Sequence, residues 1–149
     1  MIDIEKIKGR ISEIKSNIEK VKKYAGLPEK EFWGDERNIL SVKHLLLESI
    51  ETCGNICVHI IAKKVYKAPS SFAECFEHLH RADIINAELS LKLRNMSRFR
   101  NILVHRYWEI DEIKILEYAK NNLGDFEQFL KATVTYLQTG DHKKQKTRR

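Results

Sequence analysis

The chain has little with which to turn sharply: two prolines and six glycines among 149 residues. A many-stranded β fold needs a turn signal about every ten residues, so this scarcity argues against sheets and for long helices. The start, Met1-Ile2-Asp3-Ile4-Glu5-Lys6, is charged from the outset, and no signal peptide is expected. Apolar runs such as Ile60-Ile61-Ala62 are short, and no membrane span is expected. Three cysteines, an odd number without a secretory signal, point to reduced thiols in a cytoplasm. No glycine-rich phosphate loop, Ser-His-Asp pattern or carboxylate cluster of the metal-nuclease kind is visible. The expectation is therefore a cytoplasmic protein with no metal and no cofactor.

What is present points to one folded domain. Hydrophobic residues make up 42% and charged residues 32%, which sets the chain apart from disordered sequences. Its length suffices to bury a core without a structural metal or disulfides. The net charge of +6 is unevenly spread: residues 141–149 carry five basic side chains against Asp141, leaving +2 for the rest. We divide the chain into a helical domain, 1–140, and a basic, disordered tail, 141–149. Such a tail either draws phosphate backbones without sequence preference or only solubilises the chain end.

Helical periodicity is clearest at the start. Ile4, Ile7, Ile11, Ile14, Ile18, Val21 and Ala25 alternate spacings of three and four, an apolar stripe that Gly26 and Pro28 end. It faces either the core or a second subunit. After a polar connection at 27–37, a second long helix is expected from about Asn38 to Lys67, with Leu40, Leu47, Ile50, Ile56, Ile60 and Ile61 inward. Gly54 inside it marks a close helix approach. Ser71-Phe72-Ala73-Glu74 has capping-box spacing for a short third helix. A fourth begins near Asp83 and carries Leu89, Leu93, Met96, Phe99 and Leu103. Asp111-Glu112 opens a last one, with a stripe of Ile113, Leu116, Leu123, Phe126, Leu130, Val134 and Leu137. The fold class is all-α: an up-and-down bundle of four to five helices.

Of the residues that could carry chemistry, Cys53 and Cys57 lie one turn apart with His59 nearby, but no paired ligand unit completes a metal site, and buried core cysteines are commonplace. His78 and His80 suit a surface or loop, and His44 an interhelical hydrogen bond. The segment Arg98-Phe99-Arg100-Asn101-Ile102-Leu103-Val104-His105-Arg106-Tyr107-Trp108 is different, because strongly polar side chains interleave with an apolar stripe. On a helix, Asn101 and His105 are neighbours, while Arg100 and Tyr107 share a second, rotated line. Arginine offers a planar cationic fork to a phosphate and to charge gained in its transition state. Histidine titrates near neutrality and can exchange a proton with a ribose 2′-hydroxyl. Asparagine can orient either, and tyrosine can stack or donate. The same residues could instead cap carbonyls and plug a bundle end.

This segment resembles the Arg-x4-His-x-Tyr motif of the HepT family, within the HEPN superfamily of helical ribonucleases. Arg100 matches the arginine, 101–104 the spacer, His105 the histidine and Tyr107 the tyrosine; the likeness runs from about Asn38 through Asp111. Two positions depart from the family pattern, Arg98 where a small residue is usual and Arg106 where an acidic one is common. These cations are expected to bind RNA. The resemblance implies a homodimer whose motifs meet at the two-fold axis. It further implies metal-independent RNA cleavage, with transfer RNA a recurring target. Arg100 and His105 would be catalytic and Asn101 would assist. The implied partner is a minimal nucleotidyltransferase (MNT) antitoxin that uses ATP to place AMP on Tyr107; the added bulk and negative charge would block the phosphate site. The alternative is a non-catalytic HEPN module that binds nucleotide or substrate for a partner nucleotidyltransferase. A DNA-binding regulator is disfavoured, since no short helix-turn-helix with a basic recognition helix is visible.

Overall fold

The computed structural model describes residues 2–65 and 68–139. They form seven α-helices and one 3-10 turn: α1 Ile4–Ala25, α2 Glu29–Trp33, α3 Glu36–Val65, α4 Phe72–Arg81, α5 Ala87–His105, η1 Tyr107–Glu109, α6 Glu112–Asn121 and α7 Gly124–Thr139. Four of these are long, so the all-α expectation stands. The count is higher for two reasons: the polar connection holds a one-turn helix, and the last helix is broken. The basic tail, 141–149, lies outside the described residues, as does Lys67.

The α1 stripe faces the core. Ile7, Ile11, Ile14, Ile18, Val21 and Ala25 are all buried, and the helix lies along α3. The Asp3 side chain caps its start by accepting from the Lys6 amide, and Gly26 closes its end on the Lys22 carbonyl. On α3 the inward line is Val42, Leu46, Ile50, Cys53, Ile56, Cys57, Ile60 and Ile61, whereas Leu40 faces solvent and Leu47 is half-buried. Between Glu36 and Lys64 this helix is long and apolar enough to cross a membrane by length and composition, which the short runs did not suggest. More than half of its most apolar 18-residue window is instead buried inside the fold.

The Ser71 hydroxyl accepts from the Glu74 amide as a capping box requires, but the Glu74 carboxylate reaches back to Ser70 rather than to Ser71. α5 starts later than Asp83. Asp83 itself takes a left-handed backbone, φ 59°, closing the turn after α4, and the Asn86 side chain caps α5 at the Leu89 amide. The final stripe is interrupted at Asn122–Leu123. Ile115, Leu116 and Ala119 are the inward residues of α6, and Ile113 is exposed. Phe126, Phe129 and Leu130 resume the core in α7, where Phe129 meets Phe76 of α4 edge to face at 6.1 Å.

The cysteines correct the expectation of reduced thiols. Cys57 of α3 and Cys75 of α4 are joined as a disulfide, and Cys53 is the remaining free, buried thiol, its ionisation pushed up by burial.

Candidate functional site at the end of helix α5

The C-terminal half of α5 leaves the core. Ser97 is its last buried residue, and no residue from Arg98 through Lys114 is buried. Leu93 and Met96 seat the first half, while Phe99, Ile102 and Leu103 make only partial contact. The chain then ends the helix at His105, crosses Arg106 and makes the single turn of η1.

Arg100 is the most constrained group here. Its Nε donates to Glu51 Oε1 of α3 at 2.6 Å, and Nη1 donates to Asn101 Oδ1 at 3.1 Å. The guanidinium carbon lies 5.5 Å from the centroid of the Phe72 ring. Gly54 makes that shelf possible: a Cβ there would come within 2.6 Å of the Phe72 ring, so only glycine lets α4 approach α3 this closely. Glu51 lies one turn before Gly54 on the same helix. Three helices thus fix one arginine, and the Nη2 donors bond to nothing among the described residues. No sequence pattern links Glu51 and Phe72 to Arg100, from which they lie 49 and 28 positions away. Gly54 was the one visible sign.

The other predicted residues face outward. Asn101 and His105, one turn apart on α5, are both exposed, and among the described residues His105 has no hydrogen-bond partner. Arg98 is exposed, with Nη1 near Asn95 Oδ1 at 3.5 Å. Arg106 closes α5, its amide donating to the Ile102 carbonyl, and its guanidinium pairs with Glu109 at 3.3 Å. Tyr107 is not on the helix, so its expected shared line with Arg100 does not form. It opens η1, 68% exposed, and packs edge to face with Trp108 at 5.5 Å. Arg100 and His105, five positions apart, leave α5 about 140° from one another. One points into the α3–α4 junction and the other into solvent.

The remaining histidines are structural or peripheral. His44 is solvent-facing and pairs along its own helix with Glu48 at 3.1 Å, not across helices as expected. His78, within α4 rather than a loop, sits 3.3 Å from Glu74. The His59 ring accepts the Asp3 amide at 3.0 Å. No group of three or more His, Cys, Asp or Glu side chains among the described residues is placed to hold a metal.

The model of the HepT-like ribonuclease family matches residues 14–133. The chain belongs to that family. This HepT-like chain is 34% identical over 80 residues to the mRNA nuclease HepT of Shewanella oneidensis, a match spanning 54% of the chain and 60% of that relative's length. Among solved structures it is similar to a tri-AMPylated Shewanella oneidensis HEPN toxin in complex with an MNT antitoxin. There the identity is 30%, with a TM-score of 0.81 over 91% of this chain and 99% of the other. A Bacillus subtilis cytosolic protein of unknown function shares the fold alone, at 17% identity and a TM-score of 0.78 over 93% and 94% of the two chains.

Proposed function

We propose that this HepT-like chain is the nuclease half of a cytoplasmic toxin–antitoxin pair, a homodimeric, metal-independent endoribonuclease switched off by adenylylation of Tyr107. The observation that carries the reading is the unburied end of α5. There a clamped arginine and an unpartnered histidine stand beside an exposed tyrosine, in a chain whose similar proteins include an mRNA nuclease and an AMPylated toxin.

The chemistry follows from the residue types. His105 takes the proton of a ribose 2′-hydroxyl as that oxygen attacks the adjacent phosphorus, and the bond to the 5′-oxygen breaks, leaving a 2′,3′-cyclic phosphate. The leaving 5′-oxygen takes a proton in turn. Arg100 stabilises the charge gained at the phosphoryl oxygens through its uncommitted Nη2 donors, held rigid by Glu51 and Phe72 so that little reorganisation accompanies the reaction. Asn101 orients the guanidinium through Nη1. Because Arg100 and His105 diverge on one helix, a dimer is the economical way to aim both at one phosphate. An isologous pair places two copies of the motif across an axis, and the two imidazoles can divide base and acid roles. Val104, Tyr107 and Trp108, all exposed on this end, supply apolar surface for that contact and for the antitoxin.

AMP on the Tyr107 phenol would set a negative charge and a bulky group beside Arg100 and Arg106. The substrate is RNA because the reaction needs a 2′-hydroxyl. The resemblance suggests transfer RNA and the relative's name messenger RNA, so the test uses both. Purified protein is incubated with each RNA with and without EDTA; cleavage insensitive to EDTA that disappears in His105→Ala supports the reading. Undiminished cleavage by His105→Ala overturns the catalytic assignment, and nucleotide binding without cleavage favours the non-catalytic module. Co-expression with an MNT partner should add AMP units to the intact mass, and Tyr107→Phe should abolish the addition.

A further inference from the structure

Arg94 carries the one buried side-chain nitrogen or oxygen without a hydrogen-bond partner among the described residues, its Nε. A buried donor left unpaired is costly enough that natural proteins rarely retain one without a use. Unlike Arg100 and Arg106, which pair with Glu51 and Glu109, neither Arg94 nor Arg98 pairs with a carboxylate among the described residues. Both lie on α5 with the proposed catalytic residues. The positions 94, 98, 101 and 105 are spaced by four, three and four, which places them within about 60° of one another on the helix surface. Eleven residues are close to three turns, so Arg94 and His105 leave α5 in nearly the same direction. Along the axis Arg98 stands about 10 Å and Arg94 about 16 Å from His105.

We propose that Arg94 and Arg98 form a phosphate track that holds a single RNA strand along the outer face of α5 and leads it to His105. The proposal deepens the nuclease reading and rests on it. The Cα atoms of the two arginines are about 6 Å apart along the axis, a rise that suits phosphates on successive nucleotides of an extended strand. The surroundings fit an anion: Arg98, Asn101 and His105 are exposed, Arg94 is half-buried with its Nε inside and would meet a phosphate through its terminal nitrogens, and the nearest carboxylate on α5, Glu88, is engaged by Lys92 at 3.1 Å. The Ser97 hydroxyl, between the two arginines in sequence, is turned back to the Arg94 carbonyl at 2.8 Å and does not compete for the phosphate. A strand on this track meets no base-reading groove, so the track adds affinity and register without base preference.

The test is the salt dependence of binding, read by fluorescence anisotropy of labelled oligouridylates of about three and about twelve nucleotides. It uses the full-length chain in the His105→Ala background so that no cleavage intervenes. Each phosphate contact contributes about 0.7 to the slope of log K against log salt for a single strand. Arg94→Ala and Arg98→Ala should each lower the slope by about that amount on the longer oligomer, and together by about twice as much. Arg94→Lys should restore most of it, and Arg81→Ala, on α4, should leave it unchanged. In cleavage assays with His105 intact, the loss should fall on KM and shrink the advantage of the longer oligomer several-fold. Arg98 is exposed, so its variant separates binding from folding. If the wild type cleaves RNA and the slopes of both alanine variants equal that of the background protein, the track is wrong and the nuclease reading stands. If the wild type neither binds nor cleaves RNA, the nuclease reading fails and the track falls with it.

Discussion

Helices α1 and α5 are of similar length and carry comparable apolar patterns, yet they end in opposite ways. α1 buries its stripe from Ile7 to Ala25, and its capped ends close on the helix itself. α5 buries Leu89, Leu93 and Met96, then continues for two turns with nothing fully buried, displaying Arg98, Asn101 and His105. The difference separates stability from chemistry along the chain. One helix is held by the core it makes. The other borrows its position from the core and spends its free half on polar groups fixed by neighbours, Arg100 by Glu51 and Phe72.

The sharpest way to break that contrast is to exchange the expected penalties. His105→Ala should lower RNA cleavage by about 10²- to 10⁴-fold, the range of general acid–base catalysis. It should leave the thermal midpoint within experimental error, because the side chain is exposed and unpartnered. Ile50→Ala, deep in α3, should do the reverse, costing about 2–5 kcal/mol in a denaturant titration while the folded fraction keeps the kcat of the parent. A melting point that falls with His105→Ala would show that this end of α5 contributes to the core after all.

Gly54→Ala tests the joint between the two regions. Its Cβ would strike the Phe72 ring, so α4 must shift, and a loss of about 1–3 kcal/mol is expected. Cleavage should drop as well, since Arg100 loses its shelf; an active, equally stable variant would remove Phe72 from the account. Glu51→Gln should leave the fold intact but free the guanidinium. Cleavage should fall about tenfold, the effect of loosening a positioned charge, and Glu51→Asp should recover part of it.

The smallest effect is one of pH and lies on the stable side. Burial, helped by the charges of Lys6 and Lys63, holds the His59 imidazole below its ordinary 6.5, and the neutral ring accepts the Asp3 amide at the head of α1. A folded value below the unfolded one means that this contribution is complete above pH 6.5 and is lost as pH falls through the folded value. Amide exchange in the first turn of α1 should therefore quicken at about pH 5.5, beyond its intrinsic rate, relative to about pH 7.5. His59→Gln should remove that dependence.

How far the sequence could be read follows the same division. The α1 stripe, the Ser71 cap and the close approach at Gly54 are local patterns, and each appears in the structure, although Glu74 answers to Ser70 rather than to Ser71. Leu40 and Ile113 fit a 3.6-residue inward period yet face solvent, because the period cannot say where a helix rotates or breaks. The break at Asn122–Leu123 hides inside an unbroken apolar stripe. Arg100, Asn101, His105 and Tyr107 stand out through the order of a family motif, whereas the Glu51 carboxylate and the Cys57–Cys75 bridge depend on contacts between helices that no spacing encodes. Tyr107 is exposed but off the expected helix, because Arg106 ends α5 before the line shared with Arg100 could form.

The run from Arg98 to Lys114 without a buried side chain has a consequence for how such a protein can change over time. Substitutions of its exposed residues, such as Arg98, Val104, His105 and Trp108, remove little from the folded state, so these positions can drift with the bundle left standing. A lineage could acquire new strand preferences, or a new inhibitor, by altering that end alone.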